Sequence, residues 1–247
     1  MARCKRIESI LRILAIGAHP DDVEIGCGGA LLAASALGHE IYIFVATRGE
    51  KSGDPRIREE ETKKTCEIIK ATRLKIANFP DTQLKRDGEL IDSIECFMKE
   101  VEPSVVFTHT QNDQHHDHQA VALSAIEACR FVPNVLAYES PSARNFQPQT
   151  FVDVTDVISK KLKLLDIFWS QRGKQYLRKN AIVGLAEYRA FQTRVEQIKY
   201  AEAFEVNKLC LSEHLSLFSG PLPINNASNS LGARRGIASS LADVSTN

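Results

Sequence analysis

The sequence of 247 residues has no surplus of either charge: 31 basic and 31 acidic residues cancel. That balance removes the footprint of a nucleic-acid binder, and no acidic run is present to act as a solvating tail. No apolar stretch approaches the roughly 20 residues that a membrane span requires. Met1 to Arg12 is basic, but the apolar stretch that follows, Ile13-Leu14-Ala15-Ile16, is too short for a secretory h-region. A soluble, cytoplasmic protein is therefore expected. The cysteines (Cys4, Cys27, Cys66, Cys96, Cys129 and Cys210) form no C-x-x-C pair and no short framework, so reduced packing thiols are expected, not a disulfide or zinc set. Aromatic residues make up only 7% of the chain, with the single Trp169. No run of them, and no run of basic residues, marks a pocket for a lipid, a nucleotide or a thiol. No segment repeats.

What is present is an alternation of short apolar runs and helix-like segments, in a chain whose 43% hydrophobic content can bury one sizeable core. Ile13 to Ile16 is a compact run closed by Gly17. Gly26-Cys27-Gly28-Gly29 opens a small-residue helix to about Leu37, which Gly38 is placed to end. Ile41 to Val45 is β-branched and aromatic, a second strand, and Arg58 to Lys70 puts Thr62, Cys66 and Ile69 on one helical face. Leu74 to Ala77 reads as a third strand. Ile91, Ile94, Met98 and Val101 recur at helical spacing before Pro103. Val105 to Phe107 and Val135 to Ala137 are strands four and five, with a helix through Val121, Ala125 and Cys129 between them. Phe151 to Val154 reads as a further strand. Ile158, Leu162, Leu165 and Trp169 give a helix, and Glu187 to Phe204 is another helix candidate. From Ser219 the chain turns to Gly, Pro, Asn and Ser. Residues 1–218 thus form the expected domain, and 219–247 a loosely held or oligomer-contacting arm.

Strands separated by helices imply right-handed βαβ units, hence an α/β, Rossmann-like, mostly parallel sheet with helices on both faces. In such sheets ligands sit beyond the carboxyl ends of the strands, where the strand order reverses. Two polar clusters follow strands one and four directly: His19-Pro20-Asp21-Asp22-Val23-Glu24, and Asn112-Asp113-Gln114-His115-His116-Asp117-His118. The fold alone would bring them to one crevice.

A catalytic divalent metal takes about three protein ligands and leaves a position open. His19 and Asp22, three apart on a turn that Pro20 helps fix, can face one point, and His118 would complete a two-histidine, one-carboxylate set. Zinc suits these ligands and ferrous iron uses the same set; the sequence does not separate them. Asp21 is then beside the metal and free to accept a proton from the attacking water, while His115 can donate one to a leaving amine. Asp117 is placed to orient an imidazole, and Glu24 to accept hydrogen bonds from the opening of the following helix. The Gly26–Gly29 segment is expected to leave its amides accessible near the site. Taken singly, each residue has a plainer reading: a lone strand-end histidine is more often structural, and Asp21-Asp22 are good helix-capping residues. His116 is expected to face solvent or to pack, not to bind a metal. The glycines lack the G-x-G-x-x-G spacing of a dinucleotide site. Five polar residues at two distant places converging on one mechanism outweigh those readings.

His19-Pro20-Asp21-Asp22-Val23-Glu24 followed by Gly28-Gly29 resembles the first signature of the LmbE-like zinc deacetylases. That family includes the N-acetylglucosaminyl-phosphatidylinositol deacetylases and the deacetylases of mycothiol and bacillithiol synthesis. His115-His116-Asp117-His118 is similar to its second signature, H-x-D-H, and shorter likenesses bring the resemblance to roughly residues 12–206. They are Thr47-Arg48-Gly49-Glu50, Arg58-Glu59-Glu60-Glu61, Phe79-Pro80-Asp81, Ser170-Gln171 and Tyr200-Ala201-Glu202-Ala203-Phe204. The resemblance implies zinc on His19, Asp22 and His118, with Asp21 as general base. His115 would be acid or oxyanion stabiliser, oriented by Asp117. It also implies substrate contacts at Arg58, Arg48 and Asp81, an N-acetylated amino sugar or conjugate as substrate, and a trimer or hexamer. The expected function is acetate release from such a substrate. Two alternatives stand beside it: a metal-dependent amidase on a non-sugar substrate, and a catalytically silent, metal-containing protein that binds a sugar or nucleotide.

Overall fold

The computed structural model describes residues 10–210. Cys4 and the expected arm over 219–247 lie outside the described residues. The apolar runs become strands and the one-faced segments become the helices between them. In chain order these are β1 (Arg12–Gly17), α1 (Asp22–Ala36), β2 (Glu40–Thr47), α2 (Pro55–Ile69), β3 (Arg73–Phe79), α3 (Gly88–Val101) and β4 (Val105–His109). There follow α4 (His116–Ala128), β5 (Asn134–Tyr138), β6 (Thr150–Asp153), α5 (Ile158–Leu165), α6 (Lys179–Thr193) and β7 (Ala201–Leu209). The strands form one sheet in the order β3-β2-β1-β4-β5-β7-β6. The first five are parallel, and β7 runs antiparallel to both its neighbours. Ala15 of β1 pairs with Ile43 of β2 on one side and Phe107 of β4 on the other. The order reverses between β1 and β4, the position at which a doubly wound sheet opens a crevice.

Successive side chains of a strand point to opposite faces, and β1 divides the core in that way. Ile13 and Ala15 pack with Ala30 and Leu31 of α1 and with Leu164 of α5. Leu14 and Ile16 pack with Leu90, Ile94 and Phe97 of α3 and with Val121 and Ala125 of α4. A strand buried on both faces needs apolar residues at every position, which is why these runs do not alternate.

Helix α1 begins at Asp22, earlier than the glycine run suggested, so Gly26, Gly28 and Gly29 lie inside it. Glycine is unfavourable within a helix unless something must come close. A Cβ on Gly26 would collide with the ring of Tyr138, and one on Gly29 would lie 2.8 Å from both Glu202 and Val154. The amides expected to be accessible are buried and used: those of Gly29 and Ala30 donate to Glu202 at 2.8 and 2.7 Å. Lys161 Nζ donates to the carbonyl of Ile25 and to Glu202, each at 2.6 Å. A buried Lys161–Glu202 pair is therefore inserted against the backbone of α1. Glu24, expected at the helix opening, accepts instead from Thr65 of α2, and burial raises its carboxyl to about 7.

The helix expected over Glu187–Phe204 is two elements. Helix α6 ends at Thr193, and Ala201-Glu202-Ala203-Phe204 lies in β7. Ala and Glu favour helix locally, but pairing with β5 and β6 buries all four positions, and tertiary pairing overrides propensity. Trp169, placed in the α5 helix by its spacing, lies beyond the end of α5 in a short 3-10 turn and is exposed. Cys27, Cys66 and Cys129 are buried free thiols, whereas Cys96 and Cys210 are exposed. Among the described residues no helix is long and apolar enough to cross a membrane.

Glu202→Ala should cost about 3–5 kcal/mol, the range for leaving one member of a buried ion pair uncompensated. Urea unfolding would register this as a lower midpoint; an unchanged midpoint would show that the pair does not anchor α1.

Candidate metal and catalytic site

The turn after β1 is stitched by the carboxylate it presents. Asp22 Oδ2 accepts from the amides of His19 and Ala18, at 2.7 and 3.1 Å, and so fixes the loop on the first residue of α1. Asp21, immediately before that helix, takes φ 101°, a strained conformation for a residue with a side chain and one that recurs at functional sites. Arg58 of α2 grips the same turn, donating to the carbonyls of Pro20 and Gly49 and to Asp21 Oδ1 at 3.2 Å.

The second cluster arrives from β4 and α4. His118, in the first turn of α4, brings Nε2 to 3.3 Å from Asp22 Oδ1, and His19 Nδ1 lies 3.3 Å from Asp22 Oδ2. Ligand atoms of His19, Asp22 and His118 all fall within 4.8 Å of one another. The outer nitrogen of each imidazole is held by carboxylates. His118 Nδ1 meets Asp113 at 3.0 Å, while His19 Nε2 meets Asp117 at 3.0 Å and Asp81 at 3.1 Å. An imidazole tethered through one nitrogen with the other turned inward is the arrangement of metal-binding histidines. Five carboxylates (Asp21, Asp22, Asp81, Asp113 and Asp117) are buried together with the imidazoles of His19 and His118 and the guanidinium of Arg58, and Asp21 Oδ2 has no hydrogen-bond partner. A divalent cation fits the donor set of His19, Asp22 and His118 and the unpartnered carboxylate oxygen beside it.

The electrostatics follow from that crowding. Burial works against charge on Asp22, but His118 and His109 hold it well below the usual carboxylate range. Burial likewise opposes charge on His118, and Asp22 and Asp113 nevertheless carry it to about 9. Burial pushes Asp21 up to about 7 despite the pull of Arg58. It lowers His115, with the nearby His118 and His19 adding to the effect. His115 is the N-cap of α4, and its Nδ1 accepts from the Asp117 amide at 3.2 Å. That bond assigns the proton to Nε2 and makes Nε2 a donor.

The structure sorts the remaining expected residues. Asp117 orients an imidazole, but its carboxylate is on His19, and only its amide meets His115. Asp81 borders the cavity yet is occupied with His19 and the Lys51 amide. Arg58 borders it from behind Asp21, and Arg48 turns away to pair with Glu59 at 2.8 Å. His116 is exposed and bonds the carbonyl of Thr82. Several residues at the site carried no expected role; besides Ser52, Ser142 and Lys174 on the cavity wall, three stand out. Asp113 stood in the second cluster without a role. His109, at the end of β4, lies 3.2 Å from Asp22 Oδ2. Tyr176 lines the cavity from a segment with no motif. Only the first two carried a signal, as polar residues at or just past a strand end.

A doubly wound sheet carrying a histidine–carboxylate cluster at its switch point defines a candidate metal-dependent enzyme. A model of the family described as GlcNAc-PI de-N-acetylase (PIG-L) matches residues 14–129, which contain both clusters. The uncharacterized deacetylase YaiS of Escherichia coli K12 is 38% identical over 152 residues, covering 58% of this chain and 82% of that protein. Diacetylchitobiose deacetylase of Thermococcus kodakarensis is 29% identical over 188 residues, covering 66% and 70%. The 4-oxalmesaconate hydratase of Pseudomonas putida is 21% identical over 179 residues, covering 60% and 69%. Among solved structures, a conserved protein of Thermus thermophilus superposes with a TM-score of 0.75 at 26% identity, over 84% of this chain and 99% of that one. The chain belongs to the GlcNAc-PI de-N-acetylase (LmbE-like) family of metal-dependent enzymes.

His118→Ala should abolish stoichiometric metal binding, measured by elemental analysis after dialysis. Asp113→Asn should keep the metal but weaken its affinity about 10–100-fold in competition with a chelator. Wild-type affinity in the second variant would show that Asp113 does not tune His118.

Proposed function

We propose that the chain hydrolyses an N-acetyl amide on an amino sugar or a glucosamine conjugate, releasing acetate and the free amine. The observation that carries this reading is one cavity of about 370 Å³ lined by His19, Asp22 and His118 together with Asp21 and His115. Ligands, a proton acceptor and a hydrogen-bond donor thus face a single space. Kinship with deacetylases supports the amide as the bond broken.

His19, Asp22 and His118 would hold the ion, and zinc best suits two imidazoles and a carboxylate, ferrous iron being the other fit. Bound there, the ion would supply Lewis acidity, polarising the acetyl carbonyl and making water more acidic. Asp21 takes a proton from the water that attacks the acetyl carbon. Its Oδ1 is fixed by Arg58, which leaves Oδ2 to receive that proton. His115 Nε2 donates to the oxygen that gains charge and then faces the departing nitrogen. As the C–N bond breaks, its electron pair goes to nitrogen, which takes up the proton that Asp21 removed from the water, and the acetyl group leaves as acetate. Asp117 and Asp113 keep the two imidazoles in register. A trimer or hexamer belongs to the same proposal and rests on the family resemblance; a cytoplasmic setting belongs to it too and rests on the reading of the sequence.

Asp21→Asn should retain metal and fold while lowering kcat/KM for acetate release by about 10²–10⁴-fold, the usual contribution of a positioned general base. The assay is acetate release from a panel of N-acetylglucosamine conjugates by zinc-loaded protein. A wild-type rate in the variant would contradict the role of Asp21. Silence of the metal-loaded wild type across the panel would contradict hydrolysis of N-acetylated sugars.

A further inference from the structure

Beside the candidate catalytic cavity lies a second hollow of about 190 Å³, between α6 and the β7 end of the sheet. Ile25, Pro141 and Tyr176 line both, so the two adjoin across a shared edge. Nothing in the proposed chemistry uses it. Its wall on α6 is apolar: Ala181, Ile182, Leu185 and Ala186. The charged groups that border it are already matched. Arg189 makes a two-pronged contact with Glu139, Nε to Oε2 at 2.8 Å and the second nitrogen to Oε1 at 2.5 Å. Lys161 is consumed by Glu202 and the Ile25 carbonyl. The hollow therefore offers no free charge to an ionic ligand, and its mouth carries Leu185, a leucine left 42% exposed.

We infer that this hollow is a subsite for a neutral, apolar substituent, aryl or short alkyl, carried by the substrate whose acetyl group enters the catalytic cavity. The inference rests on the proposed deacetylation and adds the chemistry of the aglycone. Size supports it, since an apolar cavity of about 150 Å³ is enough to hold a benzene ring. Adjacency supports it too: Ile25, Pro141 and Tyr176 border both hollows, so a substituent on a substrate in the catalytic cavity has the apolar wall of α6 as a neighbour. Cavities that take small molecules are commonly lined in this way, mostly apolar with a few placed polar groups.

The test compares the phenyl and methyl glycosides of N-acetylglucosamine on the zinc-loaded full chain, by calorimetric binding to Asp21→Asn and by acetate release from wild type. The phenyl glycoside should bind about tenfold or more tightly, the factor expected for moving much of a phenyl ring out of water. The same preference should appear in kcat/KM. Ala186→Phe, which fills the hollow, and Leu185→Ser, which makes its exposed mouth polar and leaves the core alone, should each reduce the phenyl-to-methyl ratio toward one. Equal binding of the two glycosides overturns the inference, whether or not acetate is released. Preferential phenyl binding without acetate release keeps the subsite and overturns the deacetylation. If the variants change the elution volume of the chain and leave the ratio intact, the hollow is a contact between copies and the inference fails.

Discussion

The carboxylate of Asp22 is the constraint on which the site depends. It is the first residue of α1, yet it accepts the amides of Ala18 and His19 behind it. It also stands within 3.3 Å of nitrogens of His19, His109 and His118. One side chain thus ties the turn after β1 to the end of β4 and the first turn of α4. The parallel sheet brings those two strand ends together, and Asp22 converts their proximity into a defined geometry. Replacing it would remove a candidate ligand and the tie that holds the loop.

Charge organises the next layer. Burying Asp21, Asp81, Asp113 and Asp117 around Asp22 is costly unless positive charge or hydrogen bonds compensate, and imidazoles, backbone amides and Arg58 do so for all but Asp21 Oδ2. The donor set and that unpartnered oxygen are the physical case for a cation. Arg58, expected at the substrate, lines the cavity and also binds one Asp21 oxygen and the backbone of the turn. Helix α1 is held from its other side by Lys161 and Glu202. Ile25, whose carbonyl accepts from Lys161, borders both hollows, so the pair that anchors the helix also sets the edge between them.

Much of the fold was legible in the sequence, because strands buried on both faces are written as unbroken apolar runs and their helices carry regular spacing. Ile13–Ile16, Ile41–Val45 and Val105–Phe107 announce the central strands, and the clusters that follow two of them announce the crevice. The glycines of α1 were legible as unusual, but their cause, a tyrosine ring and a carboxylate from distant strands, exists only after folding. Strand β7 was hidden because Ala and Glu lean toward helix and only pairing with β5 and β6 decides otherwise. The grouping of His19, Asp22 and His118 could be read from spacing and strand ends. Which carboxylate meets which imidazole could not: Asp117 reaches His19, and Asp113 takes His118. Arg48 and Arg58 differ in partner, not in kind, and a one-dimensional pattern does not encode that difference.

The most direct measurement is a titration of zinc into metal-stripped protein, with acetate release from an N-acetylglucosamine conjugate followed at each addition. A site built from His19, Asp22 and His118 predicts a linear rise in rate that saturates at one ion per chain. Full acetate release by the metal-free chain, or metal bound at that stoichiometry with no release, would contradict the account.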